Sequence, residues 1–409
     1  MNQTPNPNKK PLLGTALLRR IFIAASIRRW NDQATPVEFS ELDKQAHKIV
    51  IAYILAKIEE DSAQDSTHKI DWERLIQYFC FEFFERIVLT DIKPPIFYRL
   101  QESHRAQLAD FTIAQMQEEL EGYPFVQEME QYLKNPPTQN LEYKILQAAH
   151  FYASKWEFDI IYHFAPFMYD VENIKKIIDK EVEKHYHLSG IQKFILFKNY
   201  RELITMFGQL RFQKRWSQTP RVPATSVLGH TLIVALCGYL LSFDIGACKQ
   251  MRINHFFCGL FHDLPEILTR DIISPIKRSV KGLDEQIKQI EEEAVKEKIL
   301  NIVPANIAED ITYFTQNEFS NRYKIECFSP QNTDATTLLS TYNSDEYSPI
   351  YGEFLKICDL LGAFLEAKIS IAHGISSKEL VEGAESILEK CGDKQINGVD
   401  IGAIFRDFI

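Results

Sequence analysis

Residues 282–300 read GLDEQIKQIEEEAVKEKIL, and Leu283, Ile287, Ile290 and Ala294 recur three and four positions apart within an otherwise charged stretch. That spacing lays four apolar side chains along one face of an α-helix. Outward from this segment the pattern recurs, no sustained run of alternating β-branched residues interrupts it, and only 16 of 409 residues are Gly. The chain therefore reads as all-α. Ser329–Pro349, SPQNTDATTLLSTYNSDEYSP, carries no comparable stripe and reads as a long surface insertion, with a lid as the other reading.

A length of 409 residues suggests two domains, each large enough to bury a core. The apolar run Leu12–Ile27 is broken by Arg19 and Arg20, so the reading predicts no membrane span and no secretory leader, hence a cytoplasmic protein. Seven cysteines without a CxxC, most of them in apolar stretches such as VALCGYLL and INHFFCGLF, fit reduced buried thiols better than disulfides or a zinc cluster. The formal charge of −10 argues against a polymeric nucleic acid or an anionic membrane as partner, and leaves room for a small anion in a local basic pocket. Self-association stays open.

The chain resembles itself. Arg28-Arg29-Trp30 precedes His47 in the first half as Lys214-Arg215-Trp216 precedes His230 in the second, at offsets of 186 and 183. FEFFERIVLTDIKPPI (81–96) overlays FHDLPEILTRDIISPI (261–276) without gaps, matching Asp91 to Asp271 and Pro95 to Pro275. Slowly drifting offsets are what loop-length changes between two copies of a helical domain produce. The expected units are residues 1–190 and 195–409, with a boundary at HYHLSGIQKF, where Ser189-Gly190 reads as a turn.

The second unit holds the strongest chemical signal: His230, the pair His262-Asp263, and Asp359 inside the apolar FLKICDLLGAFLEA. Imidazole nitrogens and carboxylates are ligands for a borderline or hard divalent ion, and a buried Asp is costly unless paired or bound to a cation. Four such ligands on an octahedral ion leave positions for water and a phosphate oxygen. His255, seven residues before His262, lies on the same helical face and reads as a packed histidine, or one that supports a ligand, rather than as a fifth ligand. His185 and His187 read as exposed, and His373 as a helix C-terminal residue.

The order H…HD…D resembles the HD superfamily of metal-dependent phosphohydrolases, and the longer match is similar to its bacterial 5′-deoxynucleotidase branch. The residues that carry it are Arg215-Trp216, His230, His262-Asp263-Leu264-Pro265-Glu266, Asp271 and Pro275-Ile276-Lys277, from about residue 205 to 380. The resemblance implies an all-α fold in which His230, His262, Asp263 and Asp359 hold one divalent ion (Mn, Co, Mg, Ni or Fe). Glu266 would then be the general acid/base, with Asp271 beside it in the catalytic machinery. Arg215, Trp216 and Lys277 would contact the substrate. The residues alone allow plainer roles: Glu266 as a helix-start carboxylate, Arg215 as a structural cation, Trp216 as a core aromatic, Asp271 as a turn cap and Lys277 as a solvated cation.

The expected activity is release of phosphate from a small nucleotide, most simply a nucleoside 5′-monophosphate. A triphosphohydrolase or phosphodiesterase of the same superfamily, and a non-catalytic metal and nucleotide sensor, are the alternatives. In the first unit Glu82, Phe83 and Arg86 stand where the overlay puts His262, Asp263 and Glu266, and the counterpart of Asp359 falls at Ala149 or His150. Phe83 cannot ligate a metal and Arg86 repels one, so the first unit is expected to be degenerate, packing on the active unit or binding a regulatory ligand.

Overall fold

The computed structural model describes residues 9–62, 69–90, 92–270, 282–325 and 329–408, and among them the chain is helical throughout, with three two-residue strand pairs. The first half carries α1 (Thr15–Ile23), α2 (Glu41–Ser62), α3 (Trp72–Leu89), α4 (Pro94–Met116), α5 (Val126–Lys134), α6 (Leu141–Phe164), α7 (Val171–Glu183), α8 (Ser189–Leu196) and α9 (Lys198–Gln209). The second carries α10 (Val227–Asp244), α11 (Lys249–Phe261), α12 (Glu266–Thr269), α13 (Leu283–Val295), α14 (Ala305–Thr315), α15 (Ala335–Thr341), α16 (Gly352–Ala372), α17 (Lys378–Cys391) and α18 (Gly402–Asp407). Asp271, Lys277 and the overlay partner Asp91 lie outside the described residues.

The helix that opened the sequence reading forms, but its buried stripe is not the expected one. Ile287, Val295 and Ile299 are buried while Ile290 is 58 % exposed, so the inward face runs i, i+8 and i+12 from Ile287 into the helical continuation Lys296–Leu300. Period alone placed the stripe one position off, because neighbouring helices choose which side of a weakly amphipathic helix is covered.

The strongest apolar run is not Leu12–Ile27 but α10. It is apolar and long enough to cross a membrane by length and composition, yet 94 % of it is buried inside the protein. It packs against α11, α16 and α2 and is the central helix of the fold. Ser226 caps its start, accepting from the Gly229 N–H at 2.9 Å and donating from its hydroxyl to Asp43 on α2.

Two separate cores were expected, whereas one apolar cluster runs continuously through both halves. Tyr53 of α2 contacts Phe257 and Phe261 of α11 and Phe314 of α14, and its hydroxyl donates to Asp310 at 2.8 Å. Ser189-Gly190 is not a turn between units. It is the first turn of α8, where a Cβ on Gly190 would lie 2.6 Å from the Leu55 side chain, so the glycine lets α8 press against α2. A small residue at a close helix crossing and a turn residue look alike in sequence.

Ser329–Pro349 is also more ordered than expected. It contains α15, capped by Asp334 accepting from the Thr337 N–H at 3.0 Å. Asn343 and Asp345 accept from the backbone N–H groups of Cys248 and Gln250, capping α11 from outside. This segment supports the far end of α11 from His262, about 20 Å away along a helix of that length, rather than covering it. His185 is half-buried against Phe151, not exposed.

Candidate metal centre

His230 sits in the first turn of α10, His262 caps the C-terminus of α11 with Asp263 directly after it, and Asp359 is in the second turn of α16. Packing of α11 and α16 on α10 brings them together. Ligand atoms of His230, His262 and Asp263 lie within 4.8 Å of one another, and Asp359 Oδ1 is 3.0 Å from His230 Nε2 and 3.8 Å from His262 Nε2. Gly362, one turn along from Asp359, makes room for the ring: a Cβ there would be 2.9 Å from His230 Cε1.

These donors suit a cation. His262 Nδ1–H is directed at the Gly259 carbonyl at 2.8 Å, which leaves Nε2 as the lone-pair nitrogen, facing Asp263 Oδ1 at 3.2 Å and Asp359. A lone pair aimed at two carboxylates is repulsive unless a proton or a metal ion stands between them. Buried His262 Nε2 and Asp263 Oδ2 have no hydrogen-bond partner, as expected of atoms reserved for an ion. With protons alone, burial opposes charging His262, but Asp263 and Asp359 outweigh it and raise its pKa well above the usual histidine range. Burial likewise opposes ionising Asp359, yet His230, His262 and Lys356 hold its pKa far below the usual range. Two fixed N-donors and two carboxylates kept ionised are the donor set of a divalent ion with open positions.

The sequence reading missed the support behind this cluster. Glu366, fully buried two turns beyond Asp359 on α16, lies with Oε1 3.4 Å from His230 Nδ1. It accepts from the Thr225 hydroxyl at 2.7 Å and from the Trp216 indole N–H at 2.9 Å. Burial would raise its pKa, but the Arg221 guanidinium, His230 and Arg215 hold it far below the carboxylate range. A carboxylate behind a ligating imidazole fixes the tautomer and raises ligand basicity. The available signal was a charged residue at Asp359 plus seven in GAFLEAKISIA, two helical turns away on one face. Lys356, three residues before Asp359, holds the other carboxylate oxygen at 2.7 Å and was also missed.

Trp216 does not point into an open pocket. Its backbone has φ +54°, its N–H goes to Glu366, and its ring packs where a Cβ on Gly383 would lie 2.7 Å away, so it braces the site. Arg215 spans the space between Asp263 (3.8 Å) and Glu366 (3.9 Å) and borders the centre. Glu266, 8 % exposed, opens α12 and lines a cleft of about 450 Å³ together with His262, Asp263 and, from α13, Ile287 and Glu291. His255 is a packed residue as expected: it contacts the Ser242 hydroxyl at 2.7 Å and accepts from the Tyr351 N–H at 3.0 Å, and burial pushes its pKa down to about 3. His373 caps α16.

Residues 207–388 match the family model of the HD domain, so the second half of the chain carries an HD domain. Within that class, a 5′-deoxynucleotidase of Photobacterium profundum is 33 % identical over 109 residues, covering 25 % of this chain and 54 % of the relative. One of Vibrio atlanticus is 24 % identical over 28 % of this chain and 60 % of the relative, and one of Shewanella oneidensis is 25 % identical over 40 % and 71 %. The chain spans a little over half the length of the first of these relatives, and no solved structure matches it.

Proposed function

We propose that the protein is a metal-dependent phosphohydrolase that releases phosphate from a small nucleotide, with a nucleoside 5′-monophosphate as the simplest substrate. The observation that carries this reading is the meeting of His230, His262, Asp263 and Asp359 with the His262 Nε2 lone pair facing two carboxylates. An HD domain over residues 207–388 and similarity to 5′-deoxynucleotidases support it.

In this reading those four residues hold one divalent ion from among Mn, Co, Mg, Ni or Fe. When bound, such an ion supplies positive charge to the phosphoryl group and lowers the pKa of bound water toward neutrality. Glu366 keeps His230 oriented through its Nδ1 face, and Lys356 orients Asp359. Arg215 neutralises a phosphoryl oxygen, and its contacts with Asp263 and Glu366 pre-set its position. Glu266 takes a proton from the attacking water and returns one to the leaving oxygen. Trp216 acts through Glu366 rather than by stacking on a base. Asp271 and Lys277 keep the roles implied by the resemblance, in catalysis and at the phosphate.

The test is phosphate release from a nucleotide panel with each metal, comparing wild type, Asp263→Ala and Glu266→Ala. Both variants are expected to lose turnover, and only Glu266→Ala is expected to retain metal. Tight nucleotide binding without turnover under every metal would overturn the enzyme reading in favour of a sensor.

A further inference from the structure

The first half contains a second polar cavity, and its place in the fold gives it meaning. Ser40 and Ser226 each close a short antiparallel pairing, with Arg28 and Lys214 respectively, and each hydroxyl accepts from the backbone N–H three residues on. Trp30 and Trp216 share the left-handed backbone, φ +57° and +54°, rare for a bulky residue. Each indole N–H donates at 2.9 Å to a fully buried glutamate, Glu157 or Glu366. The pairs 28/214, 30/216 and 40/226 are all separated by 186 residues, and 157/366 by 209.

Those offsets place Lys44 opposite His230 and His150 opposite Asp359, and Lys44 Nζ contacts His150 Nδ1 at 2.6 Å as His230 contacts Asp359. His47, which order along the chain alone would pair with His230, is instead buried against Trp156, Arg211 and the Ile204 carbonyl. Glu82 is held by Lys48, Tyr132 and Gln147. Where the HD half brings imidazoles and carboxylates together, this half has a buried amine against an imidazole, with Lys48 beside them.

The cavity beside them, about 90 Å³, is lined by Lys48, Arg86, Arg105 and His150 against Glu82 and Glu85. Lys48 pairs with Glu82, and Arg86 with Glu41 and the Ile92 carbonyl, so half-buried Arg105 is the lining cation outside those pairs. Gln45 also lines it and is 2 % exposed. Its Nε2 donates to Glu41 Oε1 at 2.6 Å, because that carboxylate only accepts, and its Oε1 is buried with no hydrogen-bond partner. A buried acceptor of this kind calls for a hydroxyl or N–H from a ligand.

We propose that residues 28–164 repeat the helical arrangement of the HD half and that the cavity between Lys48, Arg105 and Gln45 binds a small hydroxyl-bearing phosphate monoester without a metal ion. The volume suits a phosphoryl group and a few further atoms. The choice of phosphoryl over another anion rests on the function proposed for the HD half. The cationic lining and Gln45 do not.

The experiment is calorimetric titration of the full chain in excess EDTA with ribose 5-phosphate and, separately, inorganic phosphate, so that no metal-dependent turnover contributes. Ribose 5-phosphate is expected to bind at one per chain, at least tenfold tighter than inorganic phosphate. Arg105→Gln, at a half-buried position, is expected to weaken it at least tenfold, and Gln45→Leu to erase the preference over inorganic phosphate, each with an unchanged circular dichroism spectrum. Arg215→Gln is expected to leave binding intact. The proposal is overturned if neither probe saturates, if both first-half variants bind like wild type, or if Arg215→Gln abolishes binding. None of these outcomes bears on metal-dependent phosphate release by the HD half, which the turnover assay reads separately.

Discussion

In the proposed correspondence of the two halves Lys44 with His150 stands where His230 stands with Asp359, and the difference between them is whether the pair can hold a cation. In the first half burial pushes the Lys44 amine well below the usual lysine range, and burial with Lys44 and Lys48 keeps His150 neutral. In the second half the imidazoles and carboxylates hold each other charged, an arrangement that a divalent ion relieves. A buried amine against a neutral imidazole gives a divalent ion no imidazole–carboxylate pair to bind. The second half does, and a bound ion has open coordination positions, which is the physical reason hydrolysis belongs to one half only in the proposed function.

The largest effect that would break this contrast concerns metal content. Wild type is expected to hold one divalent ion per chain by elemental analysis, and Asp263→Ala to hold none and to lose turnover by on the order of a thousandfold. An ion retained after Asp263→Ala and His262→Ala together would place metal outside this cluster and remove the distinction. The paired glutamates sharpen it next. Glu366→Gln keeps one acceptor oxygen for the two donors Thr225 and Trp216, puts an NH2 donor in place of the other and removes the charge behind His230, and should lower metal affinity or activity by roughly 10–100-fold. Glu157→Gln leaves Arg29 and Arg211 short of a charge partner, and should instead cost stability by about 3 kcal/mol in denaturant titration with kcat little changed.

The first-half cavity makes a pH prediction. Burial, aided by Glu82, raises the Glu85 pKa from 4.5 to about 7. The native state then keeps a proton that the unfolded chain has already lost, so this group's contribution to stability falls as pH rises from about 4.5 to 7 and stays low above that. Glu85→Gln is expected to remove that slope and to gain on the order of 3 kcal/mol relative to wild type at pH 8, with little gain at pH 4. Equal gains at both pH values would mean the carboxyl is not the source. The smallest effect tests the shared core: Tyr53→Phe loses the bond to Asp310 and should cost about 1 kcal/mol in one cooperative transition. A separate early transition of the first half would contradict the continuous core.

The all-α class was legible, and His230, His262, Asp263 and Asp359, which the fold brings together, could be picked out beforehand, because periodicity and the types of side chain that bind metal are local properties. Arg215 was legible as a cation near the site, whereas Trp216 needed three dimensions, since only contacts distinguish an indole that braces a carboxylate from one that stacks on a base. Order along the chain pairs His47 with His230, but order does not register helices. In the proposed repeat the shared glutamate, the left-handed tryptophan and the serine pairing do, and they put Lys44 in that place.

What the sequence by itself determined is chemistry carried residue by residue: helical period, a net negative charge, and imidazole and carboxylate donors spaced along apolar helices. What only the tertiary structure decided is which distant residues share one space. Glu366 behind His230, one core across two halves, the supporting role of residues 329–349 and the cations lining a second cavity all depend on helix packing. Packing is set by the joint burial of many side chains, and no short stretch of sequence carries it alone.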